Sequence, residues 1–446
     1  MACGRAPRHG GRPRVLTLTR IDWVRGDSLG LDIPAHSESL RAGAAAFLTE
    51  AFRAAGSLSE NNRVTRITGL TEIMGGSTGR KLLLSVEYED ASPGLHTDLF
   101  VKFSRDFSDE HRDQAKSQME LEVLFALLSR SPAFPIAVPV CYFSDYHHAS
   151  GTGILITQRI VYGAGGIEPH YPKCLDHEMP DPLGHYQALF RALARLAGTH
   201  KAGLLPDIVE SYFPFEPARL VVSNRAPATP EQIRQRLAAY SEFAASYPRL
   251  LPENIRSDEF LARLAREGPR FQALGNAGHR ILQSDLDMVA LCHWNAHVDN
   301  AWFWRNDRNQ VECGLMDWGN VCQMNVAMAI WGCLSGAEIR IWNDHLDDLL
   351  SLFVTEFGES GGAALDLDVL KRHLTIYVAM MGLNWLLEAP RTLLKIPDLA
   401  DARSPLDSRI ANNERARAQL LIMTAFLNLW EKADMAGVID YLERYS

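Results

Sequence analysis

Two short polar segments in the C-terminal half of the chain contain residue types that suit phosphate chemistry. Residues 293–300 read HWNAHVDN, and residues 316–319 read MDWG. Asn300 and Asp317 offer an amide oxygen and a carboxylate oxygen, ligands that Mg²⁺ accepts while it keeps positions for phosphate and water. The two histidines of the first segment also suit zinc, but no cysteine or carboxylate at ligand spacing completes a zinc site. The spacing therefore favours magnesium.

Lys102 lies in a strand-like run, TDLFVKF, with apolar residues on both sides. Such a lysine is either an edge residue whose stem covers apolar surface or the cation with which a nucleotide enzyme contacts phosphates. Only eight of the 45 basic residues are lysine, which favours the second interpretation. Glu122, on the next predicted helix, is placed to pair with Lys102. Glu120 competes for this role, and a solvated helical charge is the alternative for both.

A glycine cluster, Gly75-Gly76-Ser77-Thr78-Gly79, separates two predicted strands. Glycines let backbone amides approach an anion closely, so a hairpin of this kind can lie over nucleotide phosphates. A plain hairpin turn explains the same cluster, and both interpretations stay open.

Hydrophobic periodicity divides the chain into a small sheet-and-helix lobe and a larger helical lobe. Apolar residues recur at helical spacing in residues 37–55, 113–129 and 184–202. Strand patterns occupy residues 64–70, 80–88, 97–103, 140–143 and 153–160. The links between the first three strands are too short for helical crossovers, so we expect an antiparallel meander. We predict an α+β fold with an N-terminal extension at 1–35, an N-lobe at 36–158 and a mostly helical C-lobe at 159–446.

Composition excludes several classes of protein. With 47% hydrophobic and 22% charged residues, the chain is typical of a globular protein with a large core. The formal net charge of −9 argues against a nucleic-acid-binding protein. Seven cysteines without a CxxC pair indicate reduced thiols and a cytoplasmic protein. The longest charge-free stretch, 318–337, contains Asn320, Gln323 and Asn325, so we expect a buried helix and no membrane partner.

The terminus and the substrate are less well defined. The Arg-rich first 25 residues suit a transit peptide, a flexible arm, or translation from an upstream start codon in an arginine-rich proteome. The segment from Asp285 to Asp348 contains ten acidic residues and three arginines. Eight of the nine tryptophans lie in the C-terminal part of the chain. Acid and aromatic residues together suit an amine-containing substrate. In the alternative interpretation, the tryptophans fill the core and the acidic residues are solvated at the surface. The sequence does not indicate the oligomeric state.

The two polar segments resemble the HGDxHxxN and DWG or DFE segments of aminoglycoside phosphotransferases and their choline-kinase-like and ecdysteroid-kinase-like relatives. The resemblance covers roughly residues 60–340 and includes the generic segments Glu122–Leu128, Val138–Val140 and Leu196–His200. The family has a protein-kinase-like, two-lobed fold. The resemblance therefore implies an ATP- and Mg²⁺-dependent phosphotransferase that acts on the hydroxyl of a small molecule.

The same resemblance implies roles for individual residues. It assigns nucleotide binding to Gly75, Gly76, Ser77, Lys102, Glu122 and Gln158. The lysine would contact the phosphates, the glutamate would orient it, and the glutamine would lie near the adenine-binding hinge. Magnesium would be held by Asn300 and Asp317, and His293 would support the catalytic loop.

Two residues depart from the family pattern. Asn295 stands where the family has the aspartate that accepts the proton of the attacking hydroxyl, and a neutral amide cannot act as that base. Trp294 stands where the family usually has glycine, and we expect it to narrow the surroundings of the loop. Three explanations of Asn295 stay open: a weak or specialised kinase, a nucleotide-binding pseudokinase, or an aspartate replaced by engineering.

Overall fold

A computed structural model of the protein describes residues 21–73, 79–217 and 227–446. The predictions for Gly75, Gly76 and Ser77 lie outside the described residues. The described chain forms an N-terminal lobe on a five-stranded antiparallel sheet and a larger, mostly helical C-terminal lobe. The predicted α+β class with two lobes is confirmed.

Apart from its first two strands, which were not predicted, the elements of the N-terminal lobe agree closely with the sequence pattern. They are β1 (Trp23–Arg25), β2 (Asp32–Pro34), α1 (Ser37–Ala54), β3 (Val64–Ile73), β4 (Gly79–Tyr88), β5 (Asp98–Ser104), α2 (Arg112–Leu128), β6 (Cys141–His147) and β7 (Thr152–Gln158). The large sheet has the order β3-β4-β5-β7-β6, and all its neighbouring strands are antiparallel. The predicted meander of the first three strands of this sheet is confirmed.

The two faces of this sheet have different surroundings. Leu82, Leu84 and Val86 alternate along β4 and are buried with apolar residues of α1. Alternate residues of a strand point to opposite faces, so Lys81 and Leu83 point the other way, towards the C-terminal lobe. The helix α2 packs against β5, β6 and β7.

Residues 21–35 belong to the stretch predicted as an extension, and they pack on the N-terminal lobe. The strands β1 and β2 form a hairpin, and Ile33 is fully buried in the lobe's core. The Asp145 carboxylate accepts hydrogen bonds from the backbone amides of Ser28 and Leu29, at 2.9 and 3.1 Å. These contacts tie the hairpin to β6.

The C-terminal lobe contains helices, short 3₁₀ turns and two small sheets. Its α-helices are α3 (Pro182–Lys201), α4 (Ile208–Tyr212), α5 (Pro230–Ser246), α6 (Asp258–Ala273), α7 (Gly275–Ser284), α8 (Val326–Leu334), α9 (Ile339–Asp344), α10 (Leu346–Glu359), α11 (Leu367–Asn384), α12 (Ala389–Leu393), α13 (Ser408–Ala411), α14 (Glu414–Lys432) and α15 (Met435–Glu443). Its 3₁₀ turns are Asp176–Glu178, Pro248–Leu250, Leu286–Met288, Val298–Asn300, Leu386–Glu388 and Leu399–Asp401. Its strands are β8 (Val289–His293), β9 (Ala301–Arg305), β10 (Val311–Leu315) and β11 (Val321–Asn325).

These four strands pair as β8 with β11 and β9 with β10, both antiparallel. Sequence patterns did not predict them, because short apolar runs do not distinguish a buried strand from a helix. The charge-free stretch 318–337, expected to be a buried helix, contains β11 followed by the fully buried α8. In the part of the chain that the structure describes, no helix is both long and apolar enough to cross a bilayer.

Candidate active site

Lys102 of β5 is the centre of a charge cluster between the two lobes. Its side chain is only 2% exposed. Glu122 of α2 forms an ion pair with its Nζ, and Oδ1 of Asp317 lies 3.0 Å from the same atom. A buried charge without a partner is strongly destabilising, so these two carboxylates are what allow an ammonium group to be buried here.

The opposite charges of Lys102 and Asp317 stabilise each other. Burial acts to lower the pKa of Lys102, but the carboxylates of Glu122 and Asp317 outweigh it and raise this pKa above its ordinary value. The charge of Lys102 is the main cause that lowers the pKa of Asp317 to about 2. Lys102 is therefore a cation and Asp317 an anion at neutral pH.

Asp317, two residues after the end of β10, is held in an uncommon backbone conformation. Its φ of +65° lies in the left-handed region, which non-glycine residues rarely adopt. The next residue, Trp318, stacks on Phe125 of α2 with ring centroids 3.7 Å apart, and its Nε1 donates to the Leu315 carbonyl. This packing fixes the turn that aims the Asp317 carboxylate at Lys102.

His293 ties the HWNAHVDN segment to the MDWG segment. It is completely buried at the end of β8, where Nδ1 accepts a hydrogen bond from the Asn295 amide at 3.1 Å. An accepting Nδ1 requires the proton on Nε2, which donates to the Met316 carbonyl at 2.9 Å. Burial lowers the pKa of His293 to about 4, so the ring is neutral at pH 7. Both ring nitrogens are thus engaged in backbone contacts.

Asn300 contacts other backbone groups of the site and also lines the space between the lobes. Its side-chain Nδ2 donates to the Asn295 backbone carbonyl at 2.8 Å. The backbone carbonyl of Asn300 accepts from the Met316 backbone amide at 2.9 Å. With Nδ2 committed in this way, the amide oxygen of Asn300 is the atom left for a ligand.

Trp294 anchors the loop to the helical core. Its Nε1 donates to the Tyr377 hydroxyl of α11 at 2.7 Å. The backbone of α8 comes so close that a Cβ on Gly332 would lie 1.6 Å from the Trp294 carbonyl oxygen. The Trp294 indole therefore points towards α11 in the C-terminal lobe. The expected narrowing of the surroundings of the loop stays a prediction.

A cleft of about 380 Å³ lies between the lobes. Its polar lining includes Lys102, Glu122, Gln158, Asn300 and Asp317. Its apolar lining includes Ile73, Leu83, Phe100, Leu155 and Ile160. Five of the residues singled out in the sequence therefore share one cavity. Asn295, which is half-buried, is not among the described residues that line it.

Sequence reasoning missed three charged residues of the cleft, Lys81, Arg159 and Asp299. Lys81 lies within a predicted strand, and Asp299 lies within the HWNAHVDN segment, so both were next to residues already singled out. Oδ1 of Asp299 is buried with no hydrogen-bond partner among the described residues. Its Oδ2 lies 3.9 Å from Nζ of Lys173, and burial raises the pKa of Asp299.

His297 has a structural environment. It is 5% exposed, and its Nε2 lies 3.3 Å from the Ser335 hydroxyl. Burial holds the pKa of His297 well below its ordinary value. Its ring is therefore neutral and directed into the core of the C-terminal lobe.

The chain is similar to several solved structures. No family model and no curated protein matches it. Spectinomycin phosphotransferase APH(9)-Ia, solved with ADP and spectinomycin, is 14% identical, with 85% of this chain and 94% of that chain covered and a TM-score of 0.38. Choline kinase from Cryptosporidium parvum Iowa II is 12% identical, with 83% and 91% covered and a TM-score of 0.40.

A microcompartment-associated aminopropanol kinase is 14% identical, with 89% of this chain and 96% of that chain covered and a TM-score of 0.40. The solved structures that this chain resembles thus include a spectinomycin phosphotransferase, a choline kinase and an aminopropanol kinase.

Proposed function

We propose that this protein binds ATP and Mg²⁺ in the cleft and transfers the γ-phosphate to a hydroxyl of a small molecule, with amine-containing alcohols as the first class to test. The observation that carries the proposal is the position of Lys102, which is buried and held between Glu122 and Asp317. A lysine paired with a helix glutamate and placed beside a metal-binding aspartate is the arrangement that phosphoryl transfer uses to position ATP.

The lining of the cleft suits the other parts of a nucleotide. Ile73, Leu83 and Phe100 offer an apolar surface for a base. Gln158 ends β7 at the edge of this surface, and its backbone amide is occupied by the Val140 carbonyl at 2.8 Å. We therefore assign the base to the apolar end of the cleft and the phosphates to the end near Lys102.

The residues present fit a magnesium ion. Among the described residues, no group of three or more His, Cys, Asp or Glu side chains could hold a metal by itself. Asp317 and Asn300 supply two oxygen ligands, and Mg²⁺ bound to a nucleotide usually takes only one or two protein ligands beside phosphates and waters. The Asp317 carboxylate is ionised, with one oxygen engaged by Lys102. Magnesium bound there would neutralise charge on the phosphates.

Asn295 decides how the reaction can proceed. Phosphoryl transfer depends mainly on positioning and electrostatics, so an amide that orients the acceptor hydroxyl supports transfer at a reduced rate. His293 does not replace the missing base, because both of its nitrogens bind backbone groups. A nucleotide-binding pseudokinase is the second candidate, and the neutral Asn295 outside the cavity lining is the observation that favours it.

Nucleotide binding is the first experiment. ATP with Mg²⁺ should raise the melting temperature of the protein, because a ligand that binds only the folded state stabilises it by mass action. Asp317→Asn keeps the shape of the side chain and should remove the magnesium-dependent part of the shift. Asp113→Asn, on the exposed start of α2, is the control and should leave the shift unchanged.

No shift for the natural protein at millimolar ATP would contradict both candidate functions. A shift without transfer to any amino-alcohol, aminoglycoside or neutral alcohol would favour the pseudokinase.

A further inference from the structure

Lys81 stands directly beside Lys102 in the sheet. The two residues are register partners on the antiparallel strands β4 and β5. Directly opposed residues of an antiparallel pair point their side chains to the same face. Lys81 accordingly lines the same cleft as Lys102, with Leu83 further along its strand.

The two lysines differ in the number of carboxylates that lie near their ammonium groups. Lys102 has two carboxylates within ion-pair distance. For Lys81, no carboxylate lies at such a distance among the described residues. These residues include every Asp and Glu of the chain, because residues 1–20, 74–78 and 218–226 contain none. Among the described residues, Lys81 therefore lines the cleft without a carboxylate at ion-pair distance.

This unpaired charge acts on the rest of the site. Lys102 is the main cause of the lowered pKa of Asp317, and Lys81 contributes in the same direction. Like charges directly opposite each other on neighbouring strands are destabilising. An anion bound between Lys81 and Lys102 would relieve this repulsion.

We propose that Lys81 binds phosphate groups of the nucleotide together with Lys102, so that the cleft selects a polyphosphate over an uncharged nucleoside. This inference rests on the proposed nucleotide-binding function. Lys81 pairs with Ile73, the last residue of β3, and so lies near the start of β4, at the same end of the sheet as Lys102. The compact ammonium group of a lysine binds phosphate well as a point charge.

An ordinary surface lysine is the alternative. In that case the Lys81 stem covers the apolar strand, and its ammonium group remains in water without contacting a ligand. The two possibilities differ in how a change at Lys81 affects charged and uncharged ligands.

The test is calorimetric titration of the full-length protein with ATP and Mg²⁺, and separately with adenosine. Lys81→Met should weaken ATP binding by about tenfold or more, the effect expected for a lost charge-assisted hydrogen bond. Adenosine affinity should change by less than about twofold, because no phosphate is present. Lys81→Arg should retain most of the ATP affinity. Lys395→Met, on the exposed surface of the C-terminal lobe, is the matched control and should bind both ligands normally.

The outcomes separate this inference from the proposed function. If the natural protein binds neither ligand, the proposed function fails and the role of Lys81 fails with it. If the natural protein binds ATP and Lys81→Met binds it equally well, only the role of Lys81 is overturned. Equal weakening of ATP and adenosine would also overturn it, because Lys81 would then shape the pocket for the base.

Salt dependence gives a second measurement that does not rely on the folding of one variant. ATP affinity of the natural protein should fall more steeply with KCl concentration than that of Lys81→Met or Lys81→Ala, because screening weakens one contact fewer in the variants. Equal slopes would contradict a phosphate contact at Lys81.

Discussion

Lys102 and Glu122 form an ion pair in which the side chains are only 2% and 7% exposed. The pair joins the central strand β5 to the helix α2, and Asp317 extends it into the C-terminal lobe. Both lobes are therefore connected through one buried ammonium group. Removal of one partner from a buried pair is strongly destabilising, because it leaves the other charge uncompensated.

Glu122→Gln should lower the free energy of unfolding by about 3 kcal/mol, since it leaves Lys102 with Asp317 as its single anionic partner. Glu120→Gln is the matched control on the same helix. Glu120 pairs with His148, which is 78% exposed, so its loss should cost about 0–1 kcal/mol. Urea unfolding of the two variants measures the difference. Equal destabilisation by both would mean that Lys102 does not depend on Glu122.

Asn295→Asp should raise phosphotransfer by about 10²–10⁴-fold, the usual contribution of a general base. The substitution is nearly isosteric, so the melting temperature and the affinity for ATP should change little. The measurement is ATP consumption by both forms with amino-alcohols, aminoglycosides and neutral alcohols. If the asparagine form already reacts as fast as the aspartate form, position 295 does not hold the base.

Gly332→Ala should destabilise the protein by about 3 kcal/mol or more, because its Cβ would overlap the Trp294 carbonyl oxygen. The affected backbone belongs to the HWNAHVDN segment, so nucleotide binding should weaken as well. Gly358→Ala, in the last turn of α10 with no atom within 4 Å of the added Cβ, is the control. It should not destabilise the protein, and any gain through helix propensity should stay below about 1 kcal/mol. Thermal unfolding with and without ATP measures both effects.

Asp176 should make stability depend on pH. Its side chain is 1% exposed, with Oδ2 accepting from the Tyr186 hydroxyl at 2.6 Å and from the Glu338 amide at 3.3 Å. Oδ1 has no partner among the described residues. Burial raises the pKa of Asp176 to about 6. Burial also raises the pKa values of the neighbouring Cys174 and Cys333 thiols, so these stay neutral.

An acid whose pKa is raised on folding binds more protons in the folded state than in the unfolded state. Its contribution therefore favours folding at low pH, and that stability is lost as the pH rises from about 4 to about 6. Two pKa units correspond to at most about 3 kcal/mol. Asp176→Asn has no such titration, so its stability relative to the natural protein should increase over this range and remain constant above it. A relative stability that is independent of pH would contradict a raised pKa at Asp176.

Local patterns in the sequence were sufficient to locate most of the polypeptide around the site. The apolar run TDLFVKF placed Lys102 within a strand, and helical periodicity placed Glu122 on the following helix. Residue types alone singled out Asn300 and Asp317 as oxygen ligands, and this role stays a prediction. The assignments to a strand and a helix succeeded because strand and helix patterns are local properties, determined by a few neighbouring residues.

The choice between Glu120 and Glu122 required the tertiary structure. The two residues are about 200° apart around a helix, so only one can face the sheet. Hydrophobic residues flank both, and the packing of α2 on β5, β6 and β7 selects Glu122. The short strands β8 to β11 were missed for a related reason, since burial on all sides removes the alternation that reveals a strand.

The sequence by itself determined which chemical groups are available and in which element most of them lie: a lysine in a strand, an acidic helix, an asparagine in the HWNAHVDN segment, and an aspartate before Trp318. The tertiary structure alone decided which groups meet. The pairing of Lys81 with Lys102, the left-handed turn at Asp317 and the contact of Trp294 with Tyr377 join residues that are distant in the chain or depend on packing around them. Such contacts arise from strand register and helix packing, which depend on the whole fold and have no local pattern in the sequence.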